Sequence, residues 1–148
     1  MRKNFLCAEV YSSYPDISEK INDILLQRPF PPYRITWRTI KEFIANGNLV
    51  FVLRDLRING MTGADIVAVA FYSFFGTLFN GLVCTEDIFV DKKCRYSLAI
   101  ECFRRAISEK IIHRKVDKFI SKKVDLDGVV KKGIIPIELQ IIEFTKKF

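Results

Sequence analysis

The chain has 148 residues, 49% of them apolar and 13% aromatic, with thirteen Phe and a formal net charge of +7. That length fits one domain with a real hydrophobic core, and that apolar content excludes a disordered chain. The charge is uneven: residues 1–90 hold nine Lys/Arg against nine Asp/Glu, while residues 91–148 hold fifteen against eight.

No apolar run reaches the roughly 18 residues of a membrane span. The nearest, Ile66 to Phe75, has strand length and carries Tyr72 and Ser73. The N-terminal residues reach Glu9 without a sustained apolar region, so no signal peptide is expected and a cytoplasmic location is the default. The four cysteines, Cys7, Cys84, Cys94 and Cys102, form no CxxC, and His113 has no second imidazole near it. No metal site is expected. Cys7, Cys84 and Cys102 sit among apolar neighbours and read as buried reduced thiols. Cys94 lies in a basic loop, a setting that can lower a thiol pKa, but the sequence shows no partner base near it for a nucleophile. The basic second half fits an acidic partner, a phosphorylated cofactor or a solvated surface, and no nucleic-acid motif accompanies it.

In chain order, Phe5 to Tyr11 reads as a strand. Ser18 or Asp16 caps a helix whose apolar face is Ile17, Ile21, Ile24 and Leu25. Pro29, Pro31 and Pro32 then force a turn or extended loop. Thr36 caps a second helix, Trp37 to Ala45, which stops at Asn46-Gly47. Asn48 to Asp55, Ala64 to Phe75 and Leu82 to Val90 follow as strands, separated by turns at Asn59–Gly63 and Gly76–Gly81. Their short connections predict an antiparallel meander. A basic junction, Asp91-Lys92-Lys93-Cys94-Arg95, leads into the strongest helix, Ser97 to Ile112. Ala99, Cys102, Phe103, Ala106, Ile107 and Ile111 recur there at three- and four-residue spacing. Val116 to Val124 reads as a strand, Asp125 to Gly133 as at most a short helix, and Ile134 to Phe144 as a closing strand. The expected fold is a single α/β (α+β) domain. Its central sheet is mixed and mostly antiparallel, with helices on both faces.

Three segments carry a family resemblance. Ala68-Val69-Ala70-Phe71-Tyr72 stands in the meander, Glu86-Asp87-Ile88-Phe89-Val90-Asp91 ends its last strand, and Lys131-Lys132-Gly133-Ile134-Ile135-Pro136-Ile137 precedes the end of the chain. With the element order, these segments resemble the GNAT superfamily of acyl-CoA N-acyltransferases over about two-thirds of the chain. The resemblance implies transfer of an acetyl group from acetyl-CoA to an amine on a small molecule or a protein. It places the pantetheine arm of the cofactor along the backbone of Ile88, Phe89 and Val90. It places the pyrophosphate on the loop and helix start Arg95-Tyr96-Ser97-Leu98-Ala99-Ile100. Arg95 matches the family pattern, and Ala99 fits a small-residue position. Tyr96 and Leu98 stand where the family has glycine, which allows a phosphate to approach backbone N–H groups closely. Glu86, on the fourth strand, is the candidate catalytic base. The tyrosine that many members carry late in the fold as general acid is missing between Asp125 and Lys132.

The altered loop supports a second expectation, a catalytically inactive GNAT-fold protein that binds or builds, for example in a phage particle or a protein complex. Its docking surface would be the basic C-terminal half. No membrane partner is expected from span length, and nucleic acid rests on charge alone. The segment Pro15 to Asn46, with Phe30, Tyr33 and Trp37, either lines an acceptor pocket or covers the sheet. The apolar closing strand offers an edge to a partner strand.

Overall fold

The structure is a computed structural model and describes residues 4–11, 17–25, 35–58, 65–124 and 130–135. Within them run β1 (Phe5–Glu9), α1 (Ile17–Leu25), α2 (Trp37–Ala45), β2 (Leu49–Asp55), β3 (Ile66–Thr77), β4 (Gly81–Val90), α3 (Tyr96–His113), β5 (Lys118–Val124) and β6 (Val130–Ile135). The six strands form one sheet in chain order, β1-β2-β3-β4-β5-β6. Every neighbouring pair is antiparallel except β4 and β5, which are parallel and joined through α3.

The sheet is covered on both faces because its strands are apolar on both. On one face Phe51, Leu53, Ala68, Ala70, Tyr72, Cys84 and Ile88 pack against Ala99, Phe103, Ile107 and Ile111 of α3. On the other, Val50, Val52, Ile66 and Val69 pack against Ile21 and Ile24 of α1 and Ile40 of α2. Alternation along each strand sends successive residues to opposite cores. The long runs without polar residues in β2 and β3 follow from burial on both sides.

Local signals set the helix ends. The Thr36 hydroxyl accepts from the Thr39 N–H at 3.2 Å, which caps α2. Gly47 lies at φ +88°, past the C-cap Asn46, where a side chain would be strained. Asn22 of α1 bonds both backbone groups of Ile35, at 2.6 and 2.7 Å, and so ties α1 to the start of α2.

Two expectations at the C-terminal side are corrected. Val130 to Gly133 is not the end of a short helix but the first part of β6, paired antiparallel to β5 from Val124↔Val130 to Phe119↔Ile135. The valines and isoleucines beside Gly133 complete a hairpin, and pairing with β5 outweighs the weak helical pattern. The late lysine-glycine segment is therefore strand as far as Ile135. The strand expected over Ile134 to Phe144 begins at Val130, and residues 136–144 lie outside the described residues, as do the proline loop 28–33 and the turn at 59–63. The β3–β4 turn is also shorter than expected, because β3 continues to Thr77 and β4 already starts at Gly81.

Candidate active site

The parallel pair β4–β5 creates a fork in the sheet. Its pairing ends at Asp87↔Lys122. Beyond that point β4 continues through Ile88, Phe89 and Val90 beside β3, and β5 continues through Lys123 and Val124 beside β6. Ile88 and Val90 send their side chains into the α3-side core, and Phe89 sends its ring to the other, edge-on to Phe71 at 6.0 Å. What β4 presents along the fork is therefore its backbone. All three residues assigned to the pantetheine arm lie on this bank.

Asp91 shapes the loop that follows. It is buried, and its N–H donates to the Val67 carbonyl at 2.8 Å. Its carboxylate accepts from the Lys93 N–H at 3.1 Å and faces Lys20 Nζ at 3.5 Å, while its carbonyl accepts from the Cys94 N–H at 2.9 Å. A short carboxylate that reaches the backbone two residues on is the usual device for a tight turn out of a strand. Arg95 then stands at the N-cap of α3 with extended backbone, and its side chain makes no capping bond. The first turn of α3 therefore adds the positive end of a helix to a loop whose Lys92, Lys93 and Arg95 are exposed.

Tyr96 packs against the α3-side core and Ala99 is wholly buried in it. The aromatic residue at the first glycine position is thus turned down into the protein. Ser97 is exposed, and Leu98 and Ile100 are half-buried. This donor set, a basic loop at a helix start beside the backbone of a forked strand, fits an acyl-CoA. Lys92, Lys93, Arg95 and the first turn of α3 would hold the phosphates, and Ile88 to Val90 the pantetheine.

One residue pair below the fork lies Glu86, partnered in register with Ser121. Its side chain is 0% exposed. Oε1 accepts from Ser121 Oγ at 2.8 Å and from Arg104 Nη2 and Nε at 3.2 and 3.3 Å, and Oε2 accepts from Tyr72 Oη at 2.8 Å. Arg104 Nη2 also donates to Ser121 Oγ at 3.3 Å, and its guanidinium lies 5.9 Å from the Phe119 ring centre. A carboxyl group placed to accept a proton from an incoming amine needs an open approach. This one faces α3, and both its oxygens are engaged. The structure therefore ties β3, β4, β5 and α3 together at Glu86. Burial, followed by the charge of Glu86, pushes the Tyr72 hydroxyl well above its ordinary value, so Tyr72 stays a donor.

Sequence reasoning selected Glu86 without its partners. A signal for them exists: Arg104 interrupts the apolar stripe of α3 between Phe103 and Ile107, and Glu86 interrupts the apolar stripe Cys84–Ile88 of β4. One charge on each of two faces that must pack together reads as a buried pair. For Cys94 the structure gives a correction. Its thiol is pushed up to about 11, by burial first and then by Cys102, Asp55 and Asp91. Its electrostatic neighbours are acids and a thiol, so the exposed lysines of the loop do not activate it.

No protein-family profile and no curated protein matches the chain. Solved structures do match. The GNAT-family acetyltransferase of Streptococcus pneumoniae aligns over 97% of this chain and 82% of its own, with 10% identity and a TM-score of 0.61. Glucosamine-6-phosphate N-acetyltransferase of Arabidopsis thaliana aligns over 83% and 84%, with 14% identity and the same score. yncA of Salmonella typhimurium, assigned as an acetyltransferase and solved with its cofactor acetyl-CoA, aligns over 84% and 72%, with 7% identity and a TM-score of 0.61. At these identities the likeness establishes the fold, and the fold of this chain is that of the GNAT acetyltransferases.

Proposed function

We propose that the chain binds an acyl-CoA in the β4–β5 fork and transfers its acyl group, acetyl in the simplest case, to an amine. The observation that carries this reading is the fork itself: β4 leaves β5 at Asp87 and runs on into a basic loop at the start of an 18-residue helix, on an acetyltransferase fold. When bound, acyl-CoA supplies an acyl group activated as a thioester. The chain supplies strand backbone to align the pantetheine and cations to hold the phosphates. In this reading Glu86 is a positioning residue that fixes the width of the fork through Ser121 and Arg104.

Two observations favour a second reading. Every oxygen of the fourth-strand carboxyl group is engaged inside the protein, and Tyr96 and Leu98 replace glycines. A GNAT-fold protein that binds a ligand or a partner without turnover would tolerate both. Titration with acetyl-CoA, followed by release of free CoA thiol across a panel of primary amines, separates the two. A ligand at about 100 times its Kd stabilises the native state by roughly 2.7 kcal/mol, or about 8 °C in Tm at this chain length. A shift with turnover supports the transferase. A shift without turnover on any amine supports the binding protein. Absence of a shift at saturating acetyl-CoA overturns cofactor binding at the fork.

A further inference from the structure

The end of the sheet opposite the cofactor loop carries an exposed apolar projection that acyl transfer does not use. Between β3 and β4 the chain turns through Leu78, Phe79 and Asn80, and Leu78 is 89% and Phe79 91% exposed. Phe75 and Ile112, at the same end, are 45% and 57% exposed. Four of the seven large exposed apolar side chains among the described residues thus lie at this end. Side chains so fully in water, and adjacent in sequence at a tip, are not core residues that failed to fit. They form a contact feature.

The tip is held in shape. The Asn80 N–H donates to Thr77 Oγ1 at 2.9 Å, and Thr77 Oγ1 donates to the Gly81 carbonyl at 3.3 Å. Lys118 Nζ donates to Asn80 Oδ1 at 2.7 Å. Beside it stand cations that follow α3 and begin β5: Lys115, Lys118 and Arg114, the last half-buried, with its guanidinium 4.3 Å from the Phe74 ring centre and donating to the Gly47 carbonyl. The acids here are Glu109 and Asp117. Asp117 is exposed, with its carboxylate accepting from the Leu82 N–H at 2.8 Å.

We propose that this end docks on an anionic lipid bilayer, with Leu78 and Phe79 entering the interface and the surrounding cations facing the headgroups. The pairing of an apolar tip with a cationic collar is the two-signal arrangement that holds a protein at a membrane surface. A convex tip of two side chains suits a deformable surface. A second copy of the chain would set one cationic end against another, with too small an area for a stable dimer. No described helix is long and apolar enough to span a bilayer, so the contact is peripheral. The absence of a spanning run, which led to the expectation of no membrane partner, does not bear on surface docking. The inference is independent of acyl transfer.

The test is flotation of the full chain with vesicles of phosphatidylcholine containing phosphatidylserine, and with phosphatidylcholine alone. Binding to the anionic vesicles that weakens with salt is expected, with at least tenfold less on neutral ones. The doubly substituted L78D/F79D chain should lose at least tenfold in affinity while keeping its melting temperature, since both sites are in water. A Phe79→Trp variant should shift its emission to the blue on the anionic vesicles. Failure of the unmodified chain to float would overturn the proposal. So would equal flotation of the double variant, or tip-dependent self-association by sedimentation without lipid binding, which would assign the tip to a protein contact.

Discussion

The two ends of β4 use charge and apolar surface in opposite ways. From Glu86 upward, four acids are inside: Glu86, Asp91, Asp55 and Asp65 are all under 9% exposed, and each faces a cation, Arg104, Lys20, Arg57 and Arg54 respectively. At the Gly81 end the pattern is inverted, with Leu78 and Phe79 in water among lysines. A buried charge must be matched by its neighbours, which fixes the geometry around it. The upper half is therefore built as a rigid frame around the fork, and the lower end is a surface free to specialise. Alkali, core substitution, a turn substitution and acid each probe one side of that contrast.

Alkali should have the largest effect. Burial pushes the thiols of Cys7 and Cys84 up to about 12 and that of Cys94 to about 11, from an ordinary 9.0. Below pH 9 the folded and unfolded chains both keep these protons. Above it the unfolded chain releases them first, so stability falls with rising pH until the folded thiols ionise. The buried Cys84 thiol contributes a slope of about 1.4 kcal/mol per pH unit within that window, and the partly exposed Cys7 and Cys94 thiols contribute less. Urea midpoints from pH 8 upward should be flat and then drop, and replacing the three cysteines by alanine should flatten the drop. A native chain whose thiols react at once with a disulfide reagent at pH 8 would show that the frame is open.

The buried ion pair comes next. Arg104→Met leaves the Glu86 carboxyl group without its cation and should cost about 3–5 kcal/mol, read as a lower urea midpoint. Replacing both partners, Glu86→Leu with Arg104→Met, should recover part of that loss, because the desolvation of two charges disappears together with their attraction while the buried Tyr72 hydroxyl loses its acceptor. The same double variant, folded but without the Glu86–Ser121 link, should bind acetyl-CoA more weakly if the link sets the fork. A double variant with unchanged affinity would confine the network to stability.

Much of the fold was legible because its signals are local. The Thr36 cap, the Asn46-Gly47 stop, the meander and the α3 stripe all appear at the expected places. The fork and the Glu86 partners were not legible, since they depend on where β5 stops pairing with β4 and on residues 14 to 35 positions from Glu86. β6 was misread over Val130–Gly133 because a strand's commitment comes from its neighbour, and Lys131, Lys132 and Gly133 are poor strand formers alone. Glu86 stood out as a charge on an apolar strand, but sequence could not tell whether it faced a substrate or an arginine.

The turn at the lower end should matter less than the ion pair but more than a surface position. Gly81 lies at φ +66°, and a Cβ there would stand 2.0 Å from Asp117 Oδ2. Gly81→Ala therefore meets backbone strain and displaces the carboxylate that accepts from the Leu82 N–H. Together these should cost about 2 kcal/mol. Asp117→Ala on its own should cost about 1 kcal/mol, so the excess of the glycine variant measures the strain. Equal losses for the two variants would mean that the turn carries none.

Acid should give the smallest effect and the sharpest contrast. The Arg57 side chain, bonded to Asp55 at 2.9 Å, holds the Asp55 carboxyl group below its ordinary 3.8, with the Arg57 backbone N–H adding to it. A lowered pKa contributes stability that is present above pH 3.8 and disappears as pH falls through the folded value. Because Arg57 is largely in water, the contribution of the pair is small, and smaller still at high salt. Arg57→Ala should move the carboxyl titration of Asp55, followed by carbon NMR, up toward 3.8 or past it. A titration that does not move would place the lowering elsewhere in the frame and remove Arg57 from the set of cations that build the upper end.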